Sequence, residues 1–437
     1  MKFSNRDLFP FNTDINESGH LSIGGCDVVD LVSKYKTPLY IFDEDTIQRM
    51  CSQFVNEFGT RYRNVKVVYA CKAFINPVLA SLMGREGLGL DVVSGGELAV
   101  AKRVSFNPDD IYFHGNNKSP EELEMALDYG VKTIVVDSFY ELDLLSNIAF
   151  KKNLVQNIML RLSPSVDPHT HSYTTTGILD SKFGFSIQTG DASMAIRKAL
   201  KTKNLNLTGI HFHLGSPIFE LEPYAIAIDT VLTYLAQFKD EGLNLLEFSP
   251  GGGFAIGYVR DELPPAIADY AEVISTTLLK RSTELGFGIP KLIIEPGRSL
   301  IGRAGVAIYT VGATKNIPSI RKYVSVDGGM GDNIRPALYE SLYEAVSANK
   351  MMEEPTELVT LAGKFCESGD ILVKDVNMPF MGPGDLVAIP ASGAYAPSMA
   401  SNYNLNPKPA IIMVKDGHSD LIRRRETFED MMLCDII

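Results

Sequence analysis

The chain has 437 residues, a length that predicts two or three domains rather than one. Its 53 acidic residues outnumber its 41 basic residues, and the net charge of −12 argues against a nucleic-acid partner and leaves small molecules or proteins. The sequence shows no apolar N-terminal segment, no run of 18 apolar residues and no CxxC pair among its five cysteines, so we expect a reduced, cytoplasmic protein without a signal peptide or membrane span.

The first predicted elements are short. Residues 20–23 alternate between polar and apolar side chains, residues 28–35 follow a helical pattern, and residues 38–42 are an apolar candidate strand. A segment as short as residues 1–37 cannot bury a core of its own. We therefore expect it to pack with a later β domain, and we place the first strand in that domain as well.

A strand–helix unit then repeats along the chain. Eight apolar strands are predicted, at residues 67–70, 88–93, 111–113, 133–136, 158–162, 207–212, 245–248 and 292–294. Helices follow most of these strands, and several begin with capping signals: Asn76-Pro77, Ser94/Glu97, Ser119/Glu122 and Ser138/Glu141. Alternating β and α elements indicate a parallel sheet with right-handed crossovers. Eight such units favour a closed (β/α)₈ barrel, assigned to residues 38–296, over a doubly wound sheet.

The pattern changes after residue 296. Short strand-like segments punctuated by Gly, Pro and Asn follow, at residues 305–311, 323–326, 357–362, 386–389 and 410–414. They predict an antiparallel β domain at residues 297–437, interrupted by one helix at 336–349. The predicted fold is thus a (β/α)₈ barrel plus a C-terminal antiparallel β domain, joined by the N-terminal strand.

The ends of the predicted barrel strands are rich in ionisable residues and glycine. In barrels of this kind the active site lies where the strands end. The residues found there are Lys72, Asp91, His114, Asp137, Arg161, His213 with Ser216, Gly251-Gly252-Gly253, and Glu295 with Arg298. Strands that only support a structure have no need of such residues, so we place the functional site at this end.

Lys72 ends an apolar, β-branched stretch, and its amine is expected to be partly desolvated and able to attack a carbonyl carbon. A lone lysine is more often a surface residue at the start of a loop. However, Gly251, Gly252 and Gly253 can bring backbone N–H groups to an anion, at the usual phosphate site of these barrels. A lysine, a phosphate cradle and a carboxylate at Glu295 together suggest pyridoxal phosphate, with His213 able to stack on its ring.

Metal binding is an alternative for the histidines. His169 and His171, or His211 and His213, alternate along the chain, and residues two apart share one face of a strand. A third ligand is not evident, and the triple glycine would go unexplained. We therefore predict a site without a metal.

Several motifs together resemble the fold-type III pyridoxal-phosphate decarboxylases: YACKA at 69–73, DVVSGGEL at 91–98, HLGS at 213–216, GGGF at 251–254 and EPGR at 295–298. Others resemble the branch of that family that decarboxylates diaminopimelate: DPHTH at 167–171, DSKFG at 180–184, DGGM at 327–330, IRPALY at 334–339, CES at 366–368, GAY at 393–395 and SMAS at 398–401. The resemblance covers about residues 19–428. One departure is Ser249-Pro250 before the glycines, since Pro250 has no N–H to give to a phosphate.

The resemblance implies a role for each matching residue. Lys72 matches the Schiff-base lysine and His213 the stacked histidine, while Ser216, Gly251, Gly252 and Gly253 match phosphate-binding groups and Glu295 the partner of the ring nitrogen. Asp91, Arg298 and Tyr395 are also assigned to the cofactor. Arg298, Arg335, Tyr339 and Tyr395 match substrate contacts, Glu367 a contact to the distal ammonium, and Cys366 the proton donor. In the family Cys366 and Glu367 reach the neighbouring subunit's site, which implies a homodimer with shared active sites.

The implied reaction is the decarboxylation of meso-2,6-diaminopimelate to L-lysine and CO₂, the last step of lysine biosynthesis. The distal carboxylate and ammonium of that substrate are complementary to two arginines and one glutamate. The alternative is a related decarboxylase acting on lysine, ornithine, arginine or carboxynorspermidine, substrates that lack this pair of charges. Glu295 argues against an alanine racemase, which is expected to place an arginine at the ring nitrogen. An inactive homologue should lack Lys72 or Cys366.

Overall fold

The computed structural model describes residues 3–166 and 181–436. The chain divides into two compact units. The β unit comprises Met1–Met50, Ile256–Pro264 and Arg298–Ile437, and the barrel unit comprises Cys51–Ala255 and Pro265–Gly297. Within the described ranges, no helix is long and apolar enough to cross a lipid bilayer.

The strands and α-helices of the described residues are numbered in chain order. The strands are β1 Thr13–Ile15, β2 Leu21–Ile23, β3 Cys26–Asp27, β4 Leu39–Asp43, β5 Val65–Ala70, β6 Gly89–Val92, β7 Ile111–Phe113, β8 Thr133–Val136, β9 Gln156–Ser163, β10 Phe185–Ser186, β11 Leu205–His211, β12 Glu247–Gly251, β13 Lys291–Ile294, β14 Gly305–Ile317, β15 Arg321–Val326, β16 Val346–Ser347, β17 Glu357–Ala362, β18 Ile371–Met378, β19 Leu386–Ile389, β20 Ala410–Lys415 and β21 His418–Arg423. The helices are α1 Val28–Tyr35, α2 Glu44–Arg61, α3 Pro77–Arg85, α4 Gly95–Arg103, α5 Pro120–Tyr129, α6 Phe139–Lys151, α7 Asp191–Lys201, α8 Glu222–Leu235, α9 Ile267–Glu284, α10 Arg298–Ile301, α11 Arg335–Tyr339, α12 Ala396–Met399 and α13 Phe428–Met432.

The barrel unit contains the predicted closed barrel. Its eight strands pair in the order β9-β11-β12-β13-β5-β6-β7-β8, and β8 pairs with β9 again to close the ring. Every pairing in this ring is parallel. Side chains from five of the strands form one buried cluster: Val68, Tyr112, Val135, Met159 and Ile293. The (β/α)₈ prediction is confirmed, and the carboxyl ends of the strands meet at one rim.

The helix starts differ in part from the predicted capping boxes. At Ser119 the box is reciprocal, as the sequence predicts. At the other two starts the carboxylate bonds one residue earlier than expected: Glu97 accepts the N–H of Val93 at 2.8 Å, and Glu141 accepts the N–H of Asp137 at 2.9 Å. These bonds fix the backbone just after β6 and β8, where candidate site residues stand.

The β unit is built on a sheet that is mostly antiparallel, as predicted, with two parallel pairs. The order is β18-β17-β15-β14-β4-β20-β21, with β19 on β14 and β16 on β19. Most pairs are antiparallel, but β15 with β17 and β4 with β20 are parallel. The fully buried strand β4 lies between β14 and β20, so the N-terminal strand joins this sheet as expected. The barrel unit accordingly begins at residue 51, whereas the predicted barrel domain began at residue 38.

The helix predicted at residues 336–349 is wrong over most of its length. Helix α11 ends at Tyr339, because Glu340 adopts a left-handed conformation with φ 55°. Leu338 and Leu342 are 43% and 67% exposed, so this segment buries no apolar helical face at these positions. Ser347 instead pairs with Val387 in the sheet. After Tyr339, the apolar residues of this segment lie in a loop and a short strand.

Candidate active site

Glu295 is an acid at the rim of the barrel that neighbouring side chains hold in place. It directly follows β13 and is buried. The hydroxyl of Ser249 donates to its Oε1 at 2.8 Å, and Nε2 of His211 lies 3.1 Å from its Oε2. Because Nε2 faces a carboxylate, the tautomer with its proton on Nε2 satisfies this contact. Two side chains therefore hold the carboxylate in one orientation.

A second acid, Asp91, and a second histidine, His114, lie next to this group. Nε2 of His114 is 3.5 Å from Oε1 of Glu295 and 3.7 Å from Oδ1 of Asp91. Burial raises the pKa of Asp91 well above its ordinary value, and the charge of Glu295 raises it further. Burial likewise lowers the pKa of His114, so this ring is neutral at neutral pH. We call Asp91, His114, His211, Ser249 and Glu295 the barrel cluster.

The rim of the barrel also contains buried polar atoms that no described residue satisfies. They are Oδ1 of Asp91, Nε2 of His114, Oδ2 of Asp137 and Nδ1 of His211. Nη1 of Arg161 lies 3.7 Å from that Asp137 oxygen, too far for a hydrogen bond. A buried polar atom left unpaired costs about 1–3 kcal/mol. Several such atoms at one rim fit a site that takes up a polar group.

Lys72 lies just after β5, in the short 3₁₀ segment Cys71–Ala73. This segment buries Cys71 and Ala73 and leaves Lys72 exposed, so the expected partial desolvation of the amine is not seen. Its charge nevertheless has a lowering effect on the pKa values of Asp91 and Glu97 in the barrel unit. Burial raises the pKa of Glu97 to about 7, against the lowering effects of the Val93 N–H and of the Lys72 charge.

The triple glycine forms the end of β12 and the loop after it. A Cβ on Gly251 would lie 2.7 Å from Nδ1 of His213, and a Cβ on Gly252 would lie 2.2 Å from the carbonyl oxygen of Glu295. Gly251 and Gly253 also have φ values of 77° and 107°. Close packing and backbone conformation therefore both require glycine here.

His213 contacts the glycine loop. The N–H of Gly252 donates to Nδ1 of His213 at 3.3 Å. Burial lowers the pKa of His213 well below its ordinary value, and the Lys72 charge adds to this, so the ring is neutral. The tautomer with its proton on Nε2 leaves Nδ1 to accept from Gly252. The ring is half-buried, as is Ser216 three residues later. The structure thus brings His213 to the glycine loop.

The histidines can be judged as metal ligands from these contacts. Donor atoms of His114, His211 and Glu295 all lie within 4.8 Å of one another. His211 and Glu295 already bond each other, however, and we assign no ion to the group. His211 and His213, considered above as an alternative ligand pair, do not continue one strand, because β11 ends at His211 and His213 turns to Gly252. His169, His171 and the DPHTH motif lie outside the described residues, as does Asp180.

The β unit holds two buried arginines among tyrosines. Arg335 donates from Nε to the hydroxyl of Tyr343 at 2.9 Å, and Arg298 donates from Nη1 to the hydroxyl of Tyr258 at 2.5 Å. The Tyr395 ring lies 4.7 Å from the Arg298 guanidinium carbon and 5.7 Å from that of Arg335. We call these five residues the arginine–tyrosine cluster.

Two further observations concern this cluster. Tyr339, predicted to contact the substrate, is half-buried, and its ring lies 5.6 Å from the Arg335 guanidinium carbon. Tyr395 has a φ of 67°, a strained conformation for a residue other than glycine. Such strain concentrates at functional sites.

Cys366 and Glu367 lie on an exposed loop of the β unit. The N–H of Cys366 donates to Oδ1 of Asn404 at 2.8 Å. Asp370 is buried beside the loop and accepts the N–H groups of Phe365 at 2.9 Å and Met330 at 2.6 Å. The loop therefore presents its thiol and carboxylate to solvent from a backbone that is fixed at both ends.

Comparison with known proteins identifies the family. Residues 44–302 match the family model described as the pyridoxal-dependent decarboxylase, pyridoxal binding domain. The chain is 44% identical over 427 residues to the diaminopimelate decarboxylase of Bacillus subtilis, with 96% of each chain covered. This chain belongs to the diaminopimelate decarboxylase family. Family members are carboxy-lyases that use pyridoxal phosphate.

Solved structures of diaminopimelate decarboxylases agree with this membership. The enzyme from M. jannaschii in complex with L-lysine has a TM-score of 0.92 and 34% identity, with 98% of each chain covered. The enzyme from Helicobacter pylori with L-lysine has a TM-score of 0.85 and 32% identity, covering 93% of this chain and 98% of that one. The diaminopimelate decarboxylase fold therefore extends over both units.

Sequence reasoning missed four residues of the two clusters. Ser249 entered only as a departure from the family pattern, and His211 only as a candidate metal ligand. Tyr258 and Tyr343 did not enter at all. The one signal in the sequence was the pair Ser249-Pro250 next to the glycine loop, which departs from the expected family pattern.

Proposed function

We propose that the protein decarboxylates meso-2,6-diaminopimelate with pyridoxal phosphate, giving L-lysine and CO₂. The observation that carries this proposal is the pair of buried guanidiniums in the arginine–tyrosine cluster. Arg298 and Arg335 are 4% and 6% exposed and are bonded to phenols. A carboxylate group is the natural partner of two such guanidiniums. The distal carboxylate of diaminopimelate supplies one, and lysine or ornithine as substrate would supply none beyond the reacting group.

The barrel cluster and its neighbours fit the cofactor. Lys72 would bind its aldehyde carbon, Glu295 its ring nitrogen and His213 its ring face. Ser216 and the loop of Gly251, Gly252 and Gly253 would hold the phosphate, with Asp91, Arg298 and Tyr395 as further contacts. The bound cofactor supplies an electron sink for the pair left when CO₂ departs. The chain's own contribution is orientation, because Ser249 and His211 already hold Glu295.

The remaining assignments concern the substrate. Arg298, Arg335, Tyr339 and Tyr395 would bind its distal end, and Glu367 would accept from its distal ammonium. In the reaction the bond between the α-carbon and the carboxylate breaks, and CO₂ leaves. The Cys366 thiol would then donate its proton to that carbon, and the thiolate would regain a proton from solvent.

We further propose that the protein is a cytoplasmic homodimer with shared active sites. Cys366 and Glu367 are exposed in the single chain, as expected of residues that act in a neighbouring subunit. All five cysteines are free, which suits a reducing compartment.

The test is product analysis. Purified protein loaded with pyridoxal phosphate is incubated with meso-diaminopimelate, and CO₂ and amino-acid products are measured together. Equal amounts of CO₂ and L-lysine support the proposal. Absence of lysine, with substrate unchanged, overturns it.

A further inference from the structure

The phenol of Tyr258 lies between the two arginines of the β unit. Its hydroxyl accepts from Nη1 of Arg298 at 2.5 Å. Its ring centre lies 5.7 Å from the guanidinium carbon of Arg298 and 5.4 Å from that of Arg335. One side chain thus contacts both cations.

Tyr343 accepts a hydrogen bond from Arg335, as Tyr258 does from Arg298. Its hydroxyl accepts from Nε of Arg335, and Ser341 accepts from Nη2 of the same guanidinium at 3.3 Å. The rings of Tyr258 and Tyr343 pack edge to face, with centres 5.2 Å apart and an angle of 75° between their planes. The two phenols therefore form one rigid support with an arginine held on each.

Phenols can orient the two arginines without neutralising their charges. A carboxylate beside each arginine would orient it equally well but would neutralise it, and no attraction for an incoming anion would remain. A neutral phenol accepts the hydrogen bond and leaves the positive charge in place. Within the described residues, no salt bridge joins Arg335 to a carboxylate, and its Nε and Nη2 donate to the hydroxyls of Tyr343 and Ser341 instead.

The electrostatic response of Tyr258 agrees with this geometry. Burial alone would raise its pKa, but the charges of Arg298 and Arg335 outweigh burial and lower its pKa below the ordinary value of a phenol. The lowering shows that both positive charges act on the position of the hydroxyl. An anion bound near that position would be stabilised by the same two charges.

We propose that Tyr258 is a positioning residue that sets the two guanidiniums to receive the distal carboxylate, and so selects substrates that carry one. This inference deepens the proposed function and rests on it. Tyr258 does not take part in bond breaking. Its loss should weaken recognition of the carboxylate end and leave the reacting end unchanged.

The test compares two ligands that differ by that carboxylate. L-Lysine retains the distal carboxylate and ammonium of diaminopimelate, and cadaverine lacks the carboxylate. Dissociation constants of both are measured by calorimetry on the holoenzyme, the Tyr258→Phe variant and the Tyr323→Phe control. Tyr323 is a tyrosine on β15 whose ring lies 6.0 Å from the Arg321 guanidinium carbon, outside the cluster.

Losing one hydrogen bond to a charged group should weaken L-lysine binding about tenfold. Cadaverine binding should change less than about twofold, and Tyr323→Phe should change neither ligand. The KM for diaminopimelate should rise about tenfold with kcat within about threefold. If the binding of both ligands weakened equally, Tyr258 would have only a packing role and the proposal would be overturned. Unchanged binding of L-lysine would overturn it as well.

A second variant keeps the proposal testable if Tyr258→Phe does not fold. Tyr343→Phe removes the phenol on Arg335 and should give the same selective loss of L-lysine binding. Because binding is measured without turnover, the result stands apart from the proposed reaction: a holoenzyme that binds L-lysine selectively but releases no CO₂ fails only the proposed function. A holoenzyme that does not bind L-lysine at all overturns this inference.

Discussion

The hydroxyl of Ser249 joins the glycine loop to Glu295. It donates to Oε1 of Glu295 at 2.8 Å and accepts the N–H of Gly251 at 3.1 Å. Ser249 is fully buried, so water cannot replace either bond. The residue therefore couples the proposed phosphate loop to the proposed partner of the ring nitrogen.

Ser249→Ala should weaken cofactor binding by roughly tenfold, because the variant loses a hydrogen bond to a charged acceptor. The measurement is the dissociation constant of pyridoxal phosphate, from its visible absorbance during titration of the apoprotein. Ser275→Ala is the control, since Ser275 is equally buried on α9 and its hydroxyl has no partner among the described residues. Cofactor affinity equal to that of the control would contradict the coupling role.

Lys72→Ala should abolish both turnover and the visible absorbance of covalently bound cofactor, since no other group is assigned to the aldehyde carbon. Absorbance spectra after dialysis and CO₂ release provide the two readings. Lys102→Ala removes an exposed lysine of α4 and should keep both. If Lys72→Ala remains yellow and active, the assignment of this lysine is refuted.

Cys366→Ala should retain the cofactor absorbance but lose turnover by about a hundredfold, the size expected for removing a positioned general acid. Steady-state rates on diaminopimelate measure this loss. Cys434→Ala, which removes the other exposed thiol, should leave the rate unchanged. A Cys366→Ala rate within about twofold of the unaltered enzyme would exclude the thiol as proton donor.

Glu97 should make the barrel's stability depend on pH. Burial raises its pKa to about 7 in the folded state, above the value of about 4.3 for an unfolded glutamate. The folded state binds the extra proton between these values, so its contribution to stability is present below about pH 4.3 and is lost as pH rises through 7.

Glu97→Gln should remove this dependence while keeping an oxygen for the Val93 N–H. The difference in free energy of unfolding between Glu97→Gln and the unaltered protein should change by about 1–3 kcal/mol between pH 4.5 and pH 8, in favour of the variant at high pH. Denaturant titrations across that range measure it, with Glu124→Gln on the exposed side of α5 as the control. A difference that does not vary with pH would contradict the raised pKa.

The barrel was predictable from sequence because its signals are local. Each strand is an apolar run, and caps such as Asn76 and Ser119 mark helix starts within a few residues. The parallel pairing of β4 with β20 was not predictable, since it joins segments from opposite ends of the chain. The same limit applies to the parallel pair of β15 with β17 and to the helix wrongly extended beyond Tyr339.

The site was predictable where strand ends and family motifs marked it, as at Glu295 and the glycines. It was not predictable where a contact depends on the fold. Ser249 and Glu295 are 46 positions apart, and Arg298 and Tyr258 are 40 apart. Lys72 shows the opposite error, because an apolar strand suggested a desolvated amine and the 3₁₀ segment after it turns the side chain to solvent.

CO₂ release from three substrates shows whether the enzyme is a decarboxylase that selects a distal carboxylate. The holoenzyme is offered meso-diaminopimelate, L-lysine and L-ornithine separately at equal concentrations. We expect release from diaminopimelate, with L-lysine as product, and at most about a hundredth of that rate from the other two. Release mainly from lysine or ornithine would contradict it, because the paired guanidiniums of Arg298 and Arg335 would then have no carboxylate to bind.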